Sequence, residues 1–136
     1  MSGYRLVERV PSVEEYKRVR IAAGLSDKDA GAAKIGLANT VFGVCVESEG
    51  RVVGIGRIVD DGALFFEIVD IAVLPEHQGQ GLGARVMDAL MSHLRENAAP
   101  CAFVSLISDP GVSDFYERYG FQVQAPESPG MSLTIR

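Results

Sequence analysis

The chain has 136 residues and a mass of 14.6 kDa; 47% of its residues are hydrophobic, 23% are charged, and its formal net charge is −5. These values suit one globular domain with an adequate core, and they exclude a disordered chain, a collagen-like repeat and a disulfide scaffold. The acidic sign argues against a nucleic-acid surface, and no apolar run approaches the roughly 18 residues of a membrane span.

The segment Met1-Ser-Gly-Tyr-Arg-Leu-Val-Glu-Arg9 carries charge where a signal peptide needs an apolar stretch. A cytoplasmic location is therefore expected. Residues 5–9 read as a first strand. Ser12-Val-Glu-Glu15 is a capping box opening a helix that runs to about Gly24. Asp27 suggests a cap for a second, weak helix over residues 28–37, which contains Gly31 and Gly36. Residues 41–48, the turn Glu49-Gly50 and residues 52–59 read as a hairpin. A second tight turn, Asp60-Asp61-Gly62, leads into a strand over residues 63–74, which completes a three-stranded antiparallel meander.

The periodicity then changes. Leu82, Val86, Leu90 and Leu94 recur four apart, with Met87 and Met91 beside them, which predicts an amphipathic helix over residues 81–97 closed by Asn97. The two methionines read as core filling. Residues 101–107 are nearly all apolar, the pattern of a strand buried in a parallel pair. Strand, helix and strand over residues 67–107 then form a right-handed βαβ unit. A short helix over residues 112–119 and a last strand over residues 131–136 complete a mixed α/β domain. The two cysteines, Cys45 and Cys101, both lie in strand-like runs and read as buried reduced thiols.

Charge is unevenly distributed: residues 1–36 carry seven positive and five negative side chains, and residues 37–136 carry six and thirteen. A site in the second part would favour a cationic partner. The densest motif is Pro75-Glu-His-Gln-Gly-Gln-Gly-Leu-Gly-Ala84, between strand and helix. Three alternate glycines cost about 1 kcal/mol each against alanine in a helical first turn, so they require a reason. They allow an oxygen-rich ligand to approach the backbone where the helix presents unpaired amides, which suits a phosphate or pyrophosphate. The alternative is a plain flexible entry turn. A P-loop would need Lys then Ser or Thr after the last glycine, where Ala84-Arg85 stands. A dinucleotide fingerprint would need a different glycine spacing and an acid ending the next strand.

Gln78-Gly-Gln-Gly-Leu-Gly83 resembles the Q/R-x-x-G-x-G/A signature of the GCN5-related N-acetyltransferase (GNAT) superfamily. Asp70-Ile-Ala-Val-Leu-Pro-Glu76 looks like the strand preceding it, and Phe115-Tyr-Glu-Arg-Tyr-Gly-Phe121 resembles the family's C-terminal motif. The order of elements is similar along nearly the whole chain. The resemblance implies a GNAT fold: one domain over residues 1–136, with a mixed, mostly antiparallel sheet around a central parallel βαβ unit flanked by helices.

It also implies acetyl-CoA as cosubstrate, with the pyrophosphate on the backbone amides of Gln78, Gly79, Gln80, Gly81, Leu82, Gly83 and Ala84. Ile71, Ala72 and Val73 would pair with the pantetheine arm as if it were another strand, and the Val73 amide would polarise the thioester carbonyl. Fixed amides aimed at an oxygen that gains charge are worth several kcal/mol in a dry site. Tyr116 matches the tyrosine that donates to the departing thiolate, while Tyr119, Phe115 and Phe121 read as structural. Many family members place an Asn where Asp109 stands, so that cofactor contact is not carried over; Ser105 and Ser113 remain weak alternatives. Arg85 is either a charge contact or a solvated helix residue.

An alkyl amine lies about three pH units above neutrality, so presenting it unprotonated costs about 4 kcal/mol and calls for a base. By resemblance to the histone-acetyltransferase branch Glu67 is the first candidate and Asp70 the second, each with a structural alternative. Strand alternation puts them on opposite faces unless a bulge intervenes. Phe42, Phe65 and Phe66 either wall an acceptor pocket or pack in the core. His77 and His93 are expected to face solvent, and no Cys/His spacing supports a metal site. No cysteine stands beside a base, so direct transfer to a primary amine in a ternary complex is expected. A small molecule is the preferred acceptor, a protein lysine or N-terminus the alternative, and a non-catalytic acyl-CoA-binding module the reading from another class. A homodimer is left open.

Overall fold

The computed structural model describes residues 3–136, and the chain divides into two compact units, Met1–Val104 and Ser105–Arg136. The first unit holds β1 (Tyr4–Val7), α1 (Val13–Ala22), α2 (Ala30–Ala38), β2 (Phe42–Ser48), β3 (Arg51–Asp60), β4 (Phe65–Val73) and α3 (Leu82–Asn97). The three-residue β5 (Phe103–Ser105) spans the boundary, and α4 (Ser113–Glu117) lies in the second unit. The mixed sheet has the order β1-β2-β3-β4-β5, and its first three ladders are antiparallel.

Local chemistry accounts for the elements. At α1 the Ser12 hydroxyl accepts from the Glu15 amide at 3.1 Å, and the Glu15 carboxylate accepts from the Ser12 amide at 2.9 Å. Arg9 grips the same carboxylate at 2.9 and 3.2 Å and holds it far below the usual carboxylate range, at about 2. Asp29, and not Asp27, caps α2, accepting from the Ala32 amide at 2.9 Å; Asp27 is taken by Lys17 at 2.7 Å. The β2–β3 turn places Glu49 and Gly50 at φ 52° and 75°, as a tight hairpin requires. Asp61 closes the next turn by accepting from the amides of Ala63, Leu64 and Phe65. The cap after α3 is Ala98, one residue beyond the expected Asn97.

α3 packs on one face of the sheet with Leu82, Val86, Met87, Leu90 and Leu94 buried. α1 covers β3 and β4 from the other face through Tyr16, Val19 and Arg20. The closest approach of α3 to the sheet is at Gly56 on β3, where a Cβ would stand 2.5 Å from the Val86 methyl. Gly56→Ala is expected to destabilise the protein by about 1–3 kcal/mol through overpacking. A chemical denaturation midpoint equal to that of the parent would contradict this packing.

Four further expectations change. The strand foreseen over residues 101–107 contracts to β5, because the Ala102 amide bonds to Ala99 O and keeps the chain in a turn after Pro100. Cys101 is therefore exposed, whereas Cys45 is buried, and burial pushes its thiol up to about 11. Residues 131–136 alternate apolar and polar but form no strand, since no other segment among the described residues pairs with them. The predicted helix over residues 112–119 shortens to α4.

Candidate active site

β4 carries the central irregularity. Opposite β3, Val69 pairs with Arg57 and Ala72 with Ile55, so three steps on β4 face two on β3. This bulge falls at Asp70, a non-glycine residue held at φ 61° in the left-handed region. The bulge brings the Asp70 carboxylate to the side of Arg57. Glu67 pairs with Val59, which shares that face with Arg57 by strand alternation, so Glu67 and Asp70 are not separated by the sheet.

The Asp70 carboxylate is surrounded. Its side chain is 7% exposed; Oδ1 accepts from Arg20 Nη1, and Oδ2 accepts from Arg57 Nε at 2.6 Å and from the Tyr16 hydroxyl at 3.0 Å. Both guanidiniums stand 5.7 Å from the centroid of the Tyr16 ring. Burial first, and then Asp70, raise the Tyr16 phenol above its ordinary value of 10, so it remains a donor. Arg20 also bonds Ser26 O at 2.8 and 3.0 Å, and Arg57 bonds Thr40 Oγ1 at 2.8 Å. Thr40 in turn donates to Gly36 O at the end of α2. Glu67, by contrast, is half-buried and makes no side-chain hydrogen bond or ion pair with the other described residues.

Past β4 the chain makes one 3-10 turn, Pro75–His77, and the Gln78 side chain returns to donate to Val73 O at 3.0 Å. This bond ties the first glutamine of the motif to the end of β4. Gly79 and Gly81 follow at φ 79° and 77°, with open space where a Cβ would stand on either. Gly81 is the N-cap of α3, and no side chain caps that end. Gly83 instead lies inside the first helical turn with Ala84, while Leu82 buries its side chain in the core. The result is an open glycine turn beside the positive end of a 16-residue helix, with Gln80 and Arg85 solvent-exposed.

Ile71 and Val73 are half-buried and Ala72 is buried. β5 is three residues long against the nine of β4, and the Phe103 amide bonds to Leu64 O, just ahead of β4. At most about a third of the outer edge of β4 can pair with β5.

The second unit contains Tyr116 on α4, half-buried, with its ring 5.0 Å from Phe115 and 6.5 Å from Phe121. Burial, with Asp109 second, raises its phenol above 10, so the hydroxyl keeps its proton at neutral pH. The Ser108 and Ser113 hydroxyls lie 3.2 Å apart and occupy one another.

Both histidines differ from expectation. His77 Nδ1 lies 2.8 Å from the Tyr4 hydroxyl, and the His93 ring stacks on Phe42 at 4.1 Å. Phe42 and Phe66 belong to the α3 face, whereas Phe65 is on the other face and exposed, so the three do not form one wall. Tyr16, Arg20, Arg57 and Thr40 were not foreseen. The available signal was an arginine inside each of two apolar stretches, Val19-Arg20-Ile21 and Ile55-Gly-Arg57-Ile58. No group of His, Cys, Asp and Glu among the described residues is placed to hold a metal ion. Nor is any helix among the described residues long and apolar enough to cross a membrane.

A bulged strand, a glycine turn and an uncapped helix start thus follow one another along the chain. The family model of the acetyltransferase (GNAT) domain matches residues 14–131, across both units, and the chain belongs to that family. It is similar to a solved probable acetyltransferase from meticillin-resistant Staphylococcus aureus. That likeness has 36% identity and a TM-score of 0.92, covering 97% of this chain and 99% of the other. A GNAT acetyltransferase from Brucella melitensis, solved in complex with acetyl-CoA, shares the fold. Its TM-score is 0.64 at 22% identity, over 88% of this chain and 82% of that one. Among curated proteins, GCN5-related N-acetyltransferase 2, chloroplastic, of Arabidopsis thaliana is 34% identical over 85 residues, 62% of this chain and 32% of that protein. The chain spans between 32% and 42% of the length of the first curated relatives it matches.

Proposed function

We propose that the chain is an acetyl-CoA-dependent N-acetyltransferase, a single catalytic domain over residues 1–136, acting directly on the primary amine of a small molecule. The observation that carries this reading is the turn at Gly79 and Gly81. Two left-handed glycines with open space on their Cβ sides lead from the end of β4 to an uncapped helix start. The amides of residues 78–84 bind the pyrophosphate, so dipoles rather than lysines meet the phosphate charge. This reconciles an anionic cofactor with a net charge of −5. Residues 71–73 offer their edge to the pantetheine arm, and the Val73 amide faces the carbonyl oxygen.

When bound, acetyl-CoA supplies an activated acyl group on sulfur. Glu67 takes the proton of the incoming ammonium, directly or through a water, and frees the nitrogen lone pair to attack the carbonyl. Asp70 is poorly suited to that task, because both of its oxygens already accept from cations. As the carbon–sulfur bond breaks, Tyr116 donates its proton to the leaving sulfur. The acidic excess of residues 37–136 favours an amine that arrives as a cation.

Calorimetry tests the cofactor: saturable binding of CoA and acetyl-CoA is expected, and its absence refutes the site. A panel of polyamines, aminoglycosides, arylalkylamines and short peptides, followed by release of free thiol, then identifies the acceptor. Turnover with peptides alone would overturn the small-molecule assignment.

A further inference from the structure

We infer that Asp70 is a positioning residue: its carboxylate, clamped by Arg20, Arg57 and Tyr16, holds the β4 bulge and thereby aims the outward amide of Val73. This rests on the acetyltransferase reading above. An aspartate in the left-handed region is held against its own backbone preference, so something must fix it there. Three donors do so at once, from α1 and β3, onto a carboxylate 7% exposed. The clamp reaches further, because Arg20 also holds the Ser26 loop and Arg57 holds Thr40 at the end of α2. One carboxylate thus links both N-terminal helices to the residue immediately preceding Ile71.

The charges make the arrangement specific. Two guanidiniums share one carboxylate, so the cluster keeps an excess positive charge in a largely buried place. Removing Asp70 leaves two buried cations facing each other, and they must separate. The bulge is then free to relax into regular pairing. A one-residue slip there turns the Val73 amide, which faces away from β3 while the next amide, Leu74, bonds to Val53 O, inward toward β3. A misplacement of about 1 Å in such donors lowers rate by about a hundredfold.

The test uses Asp70→Asn, with Tyr16→Phe and Arg57→Lys as milder variants that retain most of the packing. In the absence of cofactor, amide hydrogen exchange at Leu74, whose N–H bonds to Val53 O at 2.8 Å, is expected to accelerate selectively over the rest of the sheet. Asp70→Asn is expected to lower kcat by about 30- to 100-fold, with a smaller loss of CoA affinity, about 3- to 10-fold, because residues 71–73 also meet the pantetheine arm. Tyr16→Phe and Arg57→Lys are expected to lower kcat by about 3- to 10-fold, with CoA affinity kept. Should Asp70→Asn fail to fold, those two variants carry the same test. Bound acetyl-CoA should also lose part of its thioester carbonyl infrared shift. Uniformly faster exchange across the sheet, or an unchanged kcat per folded molecule, overturns the positioning role and leaves a stabilising ion cluster. A wild type that neither binds nor turns over acetyl-CoA overturns the acetyltransferase reading instead. A wild type that turns over, matched by all variants, overturns only the role of Asp70.

Discussion

Replacing Tyr116 with phenylalanine is expected to lower kcat about 100-fold while acetyl-CoA affinity stays within a factor of three, the usual scale for loss of a general acid. The ring contacts to Phe115 and Phe121 survive the change, so the local packing of α4 should persist. Only the proton is lost. Because burial and Asp109 raise the phenol above 10, the donor form fills the whole neutral range. Tyr116 should therefore contribute no fall in rate between pH 6 and 9, and its ionisation should slow turnover only at higher pH. Stopped-flow release of CoA thiol in a single turnover measures the step directly. A phenylalanine variant with wild-type thiol release would remove Tyr116 from the chemistry.

Glu67→Gln is expected to lower kcat/KM for the amine about 100-fold at pH 7. The loss should shrink as pH rises. Without a base the enzyme depends on amine that is already unprotonated, and that fraction grows tenfold per pH unit up to about 10.4. The variant should therefore show a rate limb of unit slope reaching far into the alkaline range, where the parent is already flat. Its half-buried position and lack of a partner among the described residues mean that the amide replaces the carboxylate without orphaning a cation. The stability of Glu67→Gln should accordingly match the parent. A profile identical in shape to the parent would exclude Glu67 as the base.

The parts legible in the sequence were those set by neighbours along the chain. The four-residue recurrence from Leu82 to Leu94 defined α3 almost to the residue, and Ser12 with Glu15 defined the start of α1. The glycine motif was legible because its backbone demand is local: Gly79 and Gly81 adopt positive φ whatever surrounds them. What escaped was set by residues meeting across the fold. Asp27 and Asp29 are equivalent as letters, and only Lys17 reaching back from α1 decides which one caps α2. His93 looked solvent-facing on its own helix, because Phe42 on β2 is invisible from there. The alternation of Met131, Leu133 and Ile135 signals a strand only if a partner strand is supplied, and none of the described residues supplies one. The Asp70 cluster draws on α1, β3 and β4, so no window of sequence contains it.

The contact between Gly56 and Val86 has a consequence for how this chain can vary. Val86 stands four residues after Leu82, about one helical turn, or 6 Å, from the glycine turn. A methyl group added at position 56 would lift α3 close to its N-terminus, so a change on the sheet would be felt as weaker cofactor binding. Positions 56 and 86 are therefore free to diverge only together. Shortening Val86 to alanine should make room for alanine at 56, and the double substitution should recover affinity that Gly56→Ala alone would lose.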